Sequence, residues 1–143
     1  MDKKIQVSRP IKFRAWDVFA KEMDYEVTID PDGKVAAFNP LDGQYVRGFS
    51  DDEKVLMQYT GLKDRNGKEI YEGDVIQMDC GCDSEYGCSH GPWHGYVKWD
   101  PETASYELRD MDGRWSGEAF EESMTDEYLV VGNIYETPLE DTP

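Results

Sequence analysis

Long apolar runs are missing from this 143-residue chain. No stretch approaches the roughly eighteen residues that a membrane-crossing helix needs. The charged opening Met1-Asp-Lys-Lys4 is not followed by the apolar core of a secretory signal. A cytoplasmic setting, with no membrane partner, is therefore the default expectation. Positive charge is also scarce: 15 Lys and Arg against 31 Asp and Glu leave a formal net charge of −16. That is well beyond the magnitude of about 2–8 that solubility asks of a small domain. Such a surface repels phosphate, which disfavours duplex binding through a basic face. It attracts basic partners and steers their encounter. Catalytic signatures are absent too. There is no G-x-S-x-G, no P-loop and no dinucleotide fingerprint. The two histidines fall in one short segment, so no positioned base is left over for a nucleophile elsewhere. No catalytic residue and no enzyme activity are expected.

What is present is punctuation. Short alternating apolar runs are separated by turn-forming residues, the signature of a mainly β chain with at most a little helix. Ile11–Phe13 leads into a strand. Lys21-Glu-Met-Asp24 is expected to turn, and Tyr25–Ile29 to return with period-two alternation. Pro31-Asp-Gly33 is the next turn, followed by short strands at Val35–Phe38 and Tyr45–Phe49. Asp51–Met57 carries acids behind Ser50, as a helical start would, and its assignment stays open. Asn66-Gly67 is a hairpin signal because both residues tolerate positive φ. Strands are then expected at Glu72–Met78, Gly95–Asp100, Ser105–Arg109 and Arg114–Phe120. A short helix fits Glu121–Glu127, and a last apolar strand Tyr128–Tyr135 has Gly132 as a bulge position. Five such strands read as a small SH3-like β-barrel. The expected organisation is a β-rich region over 1–58, the barrel over 59–136 with a Cys/His-rich stretch at about 79–95, and a loose tail over 137–143.

All three cysteines and both histidines stand in that stretch: Cys80, Cys82, Cys88, His90 and His94. Zinc takes four thiolate or imidazole ligands in a tetrahedron. The three cysteines with His90 or His94 would supply them and order a glycine-rich loop that has little else to bury. The spacing between Cys80 and Cys82 is one residue, shorter than zinc sites usually show. Two other readings stand beside a structural zinc: free thiols on a glycine-rich loop in a reducing compartment, and a disulfide. A catalytic zinc would keep an open position and a base such as Asp83 or Glu85.

Acids dominate from Asp100 onward, where only Arg109 and Arg114 oppose them. The pairs Asp110/Asp112 and Glu121/Glu122 are candidate contacts for a basic partner. Trp93 and Trp115, in polar loop-like surroundings, are candidate exposed aromatics. Other aromatics at alternating strand positions are expected in the core. Lys63, Arg65 and Lys68 cluster around one turn, the feature that favours a nucleic-acid-associated barrel as an alternative.

Three blocks carry a resemblance. Ile11-Lys-Phe-Arg-Ala-Trp-Asp17, the central Leu56–Ile76 and the closing Val131-Gly-Asn-Ile-Tyr-Glu136 together resemble the YopX family of phage and prophage proteins. The resemblance implies the same barrel and a bacterial host cell, and it makes the Cys/His stretch look like an insertion between two barrel strands. It implies no reaction. The reading that follows is a non-enzymatic acidic module that binds a protein with a basic surface, as an inhibitor or mimic directed at a nucleic-acid-handling host protein. A zinc-dependent enzyme centred on the loop is the further alternative, and pairing of exposed strand edges between copies would allow a homo-oligomer.

Overall fold

The computed structural model describes residues 10–78, 93–111 and 118–136. Among these the chain forms strands and one 3-10 turn, and no helix is long and apolar enough to cross a membrane. It divides into two units, Met1–Gly61 and Leu62–Pro143.

The first unit contains β1 (Phe13–Asp17), β2 (Glu22–Asp24), β3 (Val27–Ile29), β4 (Val35–Asn39), β5 (Gln44–Phe49) and most of β6 (Lys54–Lys63). β1 is flanked by β2 and β6, antiparallel to both, with Ala15 opposite Asp24 on one side and Leu56 on the other. β3, β4 and β5 form a separate antiparallel sheet. Ala15, Val27, Val35 and Ala37 are buried together, with Phe13, Phe49 and Leu56 packed on them. β5 carries one extra residue between Val46 and Phe49, where Gly48 has φ +84°. Such a bulge asks for the conformation glycine adopts freely.

One local expectation is corrected here and one open assignment is resolved. The first turn lies at Val18–Lys21 rather than Lys21–Asp24. The Asp17 carboxylate accepts the N–H groups of Phe19 and Ala20 and so starts the turn as soon as β1 ends. That leaves Glu22–Asp24 free to pair back as β2. Asp51–Met57 does not become a helix. Glu53 accepts from both the backbone and hydroxyl of Ser50, as in a helix cap. Only one turn closes before Lys54 pairs with Asp17 and the chain runs on as β6. The sheet partner outweighs a local helical preference. Lys54 is buried in the process, its ammonium 3.0 Å from Asp17, 3.8 Å from Asp24 and 5.0 Å above the centre of the Phe49 ring.

The second unit holds β7 (Glu69–Tyr71), β8 (Asp74–Met78), β9 (Trp93–Asp100), β10 (Ser105–Asp110), β11 (Glu118–Ala119), the 3-10 turn Glu122–Glu127 and β12 (Leu129–Asn133). The expectation of a short helix at Glu121–Glu127 meets this tighter turn. Five strands pair antiparallel in the order β11-β10-β9-β8-β12, so the last strand returns to close on the first of the meander. The fold is mainly β and barrel-like, as expected. Val130 is opposite Ile76 and Val97 opposite Leu108; the four share one face of this sheet and are buried with Ile70 and Tyr128. β12 bulges between Val130 and Gly132, next to the glycine that signalled it.

The turn before β7 is not the two-residue hairpin that Asn66-Gly67 suggests. Asp64 N–H bonds Lys68 O, Gly67 N–H bonds Asp64 O, and Gly67 alone takes positive φ, at +83°. The Asp64 carboxylate explains the longer loop. Its Oδ1 accepts from Asn66 and Lys68 N–H, and its Oδ2 accepts from Val130 N–H on β12. Burial pushes this carboxyl up, but the three N–H donors and the Lys68 charge overcome it and hold the group below the usual carboxylate range.

Candidate functional site

The β8–β9 hairpin determines where the Cys/His stretch begins and ends. Met78 is opposite Trp93 and Gln77 opposite His94. The two strand ends that flank residues 79–92 are therefore neighbours across an antiparallel pair. Cys80, Cys82, Cys88 and His90 lie outside the described residues, as do Asp112 and Trp115. Among the described residues no three metal-ligating side chains come together.

His94 is half-buried on the face opposite the core. Its Nε2 lies 3.2 Å from Gln77 Oε1 directly across the strands, and its carbonyl accepts from Met111 N–H at 3.2 Å. Trp93 points the other way. It packs on the core cluster with Met78, and its six-membered ring covers Gly95. A Cβ added at Gly95 would come within 2.4 Å of that ring and 3.0 Å of the Arg109 carbonyl. The polar sequence around Trp93 suggested an exposed aromatic; the strand register instead puts it on the core side. Trp99, which alternation placed in the core, is the exposed one at 40%. It stands edge-on to Tyr106, with ring centres 5.0 Å apart. Neither the inward turn of Trp93 nor the partnership of His94 with Gln77 could be found without the pairing register. Gly95 inside a strand was the available signal for a close approach.

The candidate acidic contacts separate in the same way. Asp110 is buried, opposite Gly95. Glu121 and Glu122 are exposed, and so are Asp126 and Glu127 a few residues on. The segment is pinned beneath by Tyr128, whose hydroxyl accepts from Glu121 N–H and whose ring stacks on Phe120 at 5.2 Å. No basic residue lies between Glu121 and Glu127. On the face of the meander that carries His94, Arg109 pairs with Glu107, which holds the guanidinium more firmly protonated. Lys63, Arg65 and Lys68 are all exposed around the Asp64 turn.

Many of the remaining acids have a local use. The carboxylates of Asp17, Asp30, Asp64 and Asp100 each accept backbone N–H groups at the start of a turn. Asp74, buried, closes a turn from its far end by accepting from Tyr71 N–H. Part of the negative charge thus belongs to turn construction.

A family model described as YopX protein matches residues 12–140. Among solved structures, the protein EF1440 from Enterococcus faecalis is 28% identical, with a TM-score of 0.60 over 93% of this chain and 99% of that one. The protein YopX from Bacillus subtilis shares the fold at 16% identity, with a TM-score of 0.58 over 90% of this chain and 95% of that one. No curated protein matches.

Proposed function

Starting from the fact that this chain belongs to the YopX family, we propose that it is a phage or prophage accessory protein acting as a non-enzymatic, acidic binding module. On this reading the second unit is an SH3-like barrel, and its partner is a protein with a basic surface, of the kind that otherwise holds nucleic acid. The observation that carries the proposal is the Glu121–Glu127 segment. Its four exposed carboxylates sit on a short turn anchored from below, with no intervening cation. Such a patch raises the on-rate for a basic surface and makes the complex salt-sensitive. Capture from host lysate at low salt should yield a basic protein that is lost at high salt. Capture should also fail for the variant carrying Glu121→Gln, Glu122→Gln, Asp126→Asn and Glu127→Gln. Equal capture by that variant would contradict the proposal. The exposed Lys63, Arg65 and Lys68 favour a nucleic-acid-associated module instead, and a band shift with single strands or duplex that survives moderate salt would support that rival.

The Cys/His stretch is a separate part of the proposal. A structural zinc held by Cys80, Cys82, Cys88 and one histidine suits a long glycine-rich connection whose two ends are paired at Met78 and Trp93. Elemental analysis of protein purified without a histidine tag should return one zinc per chain. Metal content unchanged by Cys80→Ser and Cys88→Ser would refute this assignment.

A further inference from the structure

We infer that Asn66-Gly67 is a site of covalent modification, the spontaneous loss of ammonia from the Asn66 amide, and that the Asp64 turn is the gate on it. The chain has three asparagines. In this reaction the backbone nitrogen of the following residue attacks the asparagine side-chain carbonyl. Asn39 is followed by Pro40, whose nitrogen has no proton to give up. Asn133 is buried, and its Oδ1 accepts the N–H groups of Tyr135 and Glu136. The nitrogen that would attack it belongs to Ile134, a β-branched residue, and is bonded to Gly73 O. Asn66 is exposed, and Gly67, also exposed, puts no side chain in the way.

The turn that presents this pair also restrains it. Gly67 N–H donates to Asp64 O at 2.9 Å, so the attacking nitrogen is engaged. Asn66 N–H and Lys68 N–H, on either side of it, both donate to Asp64 Oδ1 at 2.9 Å. The other oxygen of that carboxylate accepts from the buried Val130 N–H. The Gly67 nitrogen must leave Asp64 O before it can reach Asn66 Cγ, so the reaction follows local opening of the turn. Then the Gly67 N–Cγ bond forms, the Cγ–Nδ2 bond breaks, and the Gly67 amide proton departs with Nδ2 as ammonia. Water opens the resulting cyclic imide at either carbonyl and returns a proton to the Gly67 nitrogen. Opening at Cγ leaves an aspartate. That is the residue Asp32 provides in the turn Asp30–Lys34, where the same internal bonds form. This product adds a negative charge among the exposed Lys63, Arg65 and Lys68. Opening at the main-chain carbonyl leaves an isoaspartate, which runs the backbone through Cβ and Cγ. The extra methylene falls between the two N–H groups that Asp64 Oδ1 accepts, so the turn no longer fits its carboxylate.

The test begins with the unsubstituted protein, aged in mildly alkaline buffer, once folded and once in urea. Peptide mass spectrometry should find Asn66 converted ahead of Asn39 and Asn133 in both samples. The folded chain should convert more slowly, on the order of 10-fold or more. Deuterium exchange at Gly67 N–H should be slowed in the folded chain as well, since it needs the same bond to break. Asp64→Asn, aged where it keeps its strand circular dichroism, should convert Asn66 faster than the original. Asp30→Asn, the same change in the other turn, should leave the rate as it was. The fraction that has become isoaspartate should unfold at a lower urea concentration than Asn66→Asp, which should unfold near the original. Equal conversion in the folded and urea-treated chains would overturn the gate, and that comparison requires no variant. Unhindered exchange at Gly67, or Asp64→Asn converting no faster than Asp30→Asn, would also overturn it. An Asn66 that survives in urea while Asn133 converts would overturn the site itself.

Discussion

Two turns of this protein follow the same pattern, Asp-x-(Asp or Asn)-Gly-Lys: Asp30–Lys34 in the first unit and Asp64–Lys68 in the second. Their internal geometry matches bond for bond. In each, the first and last residues join through the backbone, the glycine N–H returns to the aspartate carbonyl, and Oδ1 accepts two N–H groups. Both glycines have φ +83°. They differ in what the second carboxylate oxygen does. Asp64 Oδ2 accepts from Val130 N–H, 66 residues away, while Arg65 N–H bonds Tyr128 O. Asp30 Oδ2 has the Arg47 guanidinium at 3.9 Å, on a side chain that is 58% exposed. The same five-residue motif therefore reaches β5 in one unit, where Gly48 N–H and the Arg47 guanidinium also act on Asp30, and the closing strand in the other.

The comparison is tested most severely by removing the carboxylates. Asp64→Ala strips three N–H groups of a charged acceptor and leaves Val130 N–H buried without a bond, which should cost about 2–4 kcal/mol. Asp30→Ala should cost less, because the Asp32 and Lys34 N–H groups it strips are part-buried, whereas the Val130 N–H that Asp64 satisfies is buried. Urea unfolding of the two variants decides it. Equal losses would mean that the tie to β12 contributes nothing beyond the turn.

Acid sharpens the same contrast. Asp64 is held below the usual carboxylate value despite its burial. Asp30 is lowered first by Lys34 N–H, against the opposing effect of desolvation, with Asp32 N–H, Arg47 and Gly48 N–H assisting. A carboxyl whose folded value is depressed contributes stability that is fully present above its unfolded value, about 4. That contribution is lost as pH falls through the folded value. Stability should therefore drop as pH is lowered from about 5, and Asp64→Asn should flatten the drop more than Asp30→Asn. Asp17 belongs to the same group, lowered first by Ala20 N–H and then by its bond to Lys54. Protonating it weakens the ion cluster that keeps Lys54 buried.

These turns also show how far the residues alone reach. Asp, Gly and Pro announce a turn because they act within four or five residues, so β4, β5 and β10 were legible nearly to the residue, whereas β2 and β6 were not. Where two local preferences compete, as at Ser50–Met57 or Lys21–Asp24, the outcome depends on a partner strand that nearby residues do not specify. The site was less legible for the same reason. The Cys/His stretch is visible in composition, but that His94 faces the Gln77 amide is a matter of register. Exposure was misjudged at Trp93 and Trp99 because polarity of sequence neighbours says nothing about which face of a strand points inward.

Replacing the glycines removes the tertiary difference and leaves the local term. At both Gly33 and Gly67 a Cβ would meet nothing within 4 Å. The cost of Gly33→Ala and Gly67→Ala is then backbone strain alone, about 1 kcal/mol at each. Unfolding midpoints for the pair should shift together, in contrast to the aspartate variants. A much larger loss at Gly67 would show that the turn's conformation itself, and not the Asp64 carboxylate, secures β12.

The smallest effect concerns a second turn class, shared by three hairpins. Asp17 is opposite Glu22, Asn39 opposite Gln44 and Asp100 opposite Ser105. In each the first residue's side chain accepts the N–H two positions on. In each the residue before the return strand has positive φ: +56° at Lys21, +72° at Gly43 and +51° at Ala104. Only the middle hairpin uses the residue that adopts this conformation without strain. The other two hold a side chain in that conformation, at Lys21 and Ala104. Both strained positions are exposed, so substitution there removes strain and no packing. Lys21→Gly and Ala104→Gly should each stabilise by a few tenths to about 1 kcal/mol, the relief of strain outweighing the added freedom of the unfolded chain. Gly43→Ala should lose a similar amount. If thermal unfolding showed Ala104→Gly to be destabilising, the left-handed conformation would not be the costly part of this turn. The bonds of Thr103 to Asp100 and Ser105 would then be what holds it.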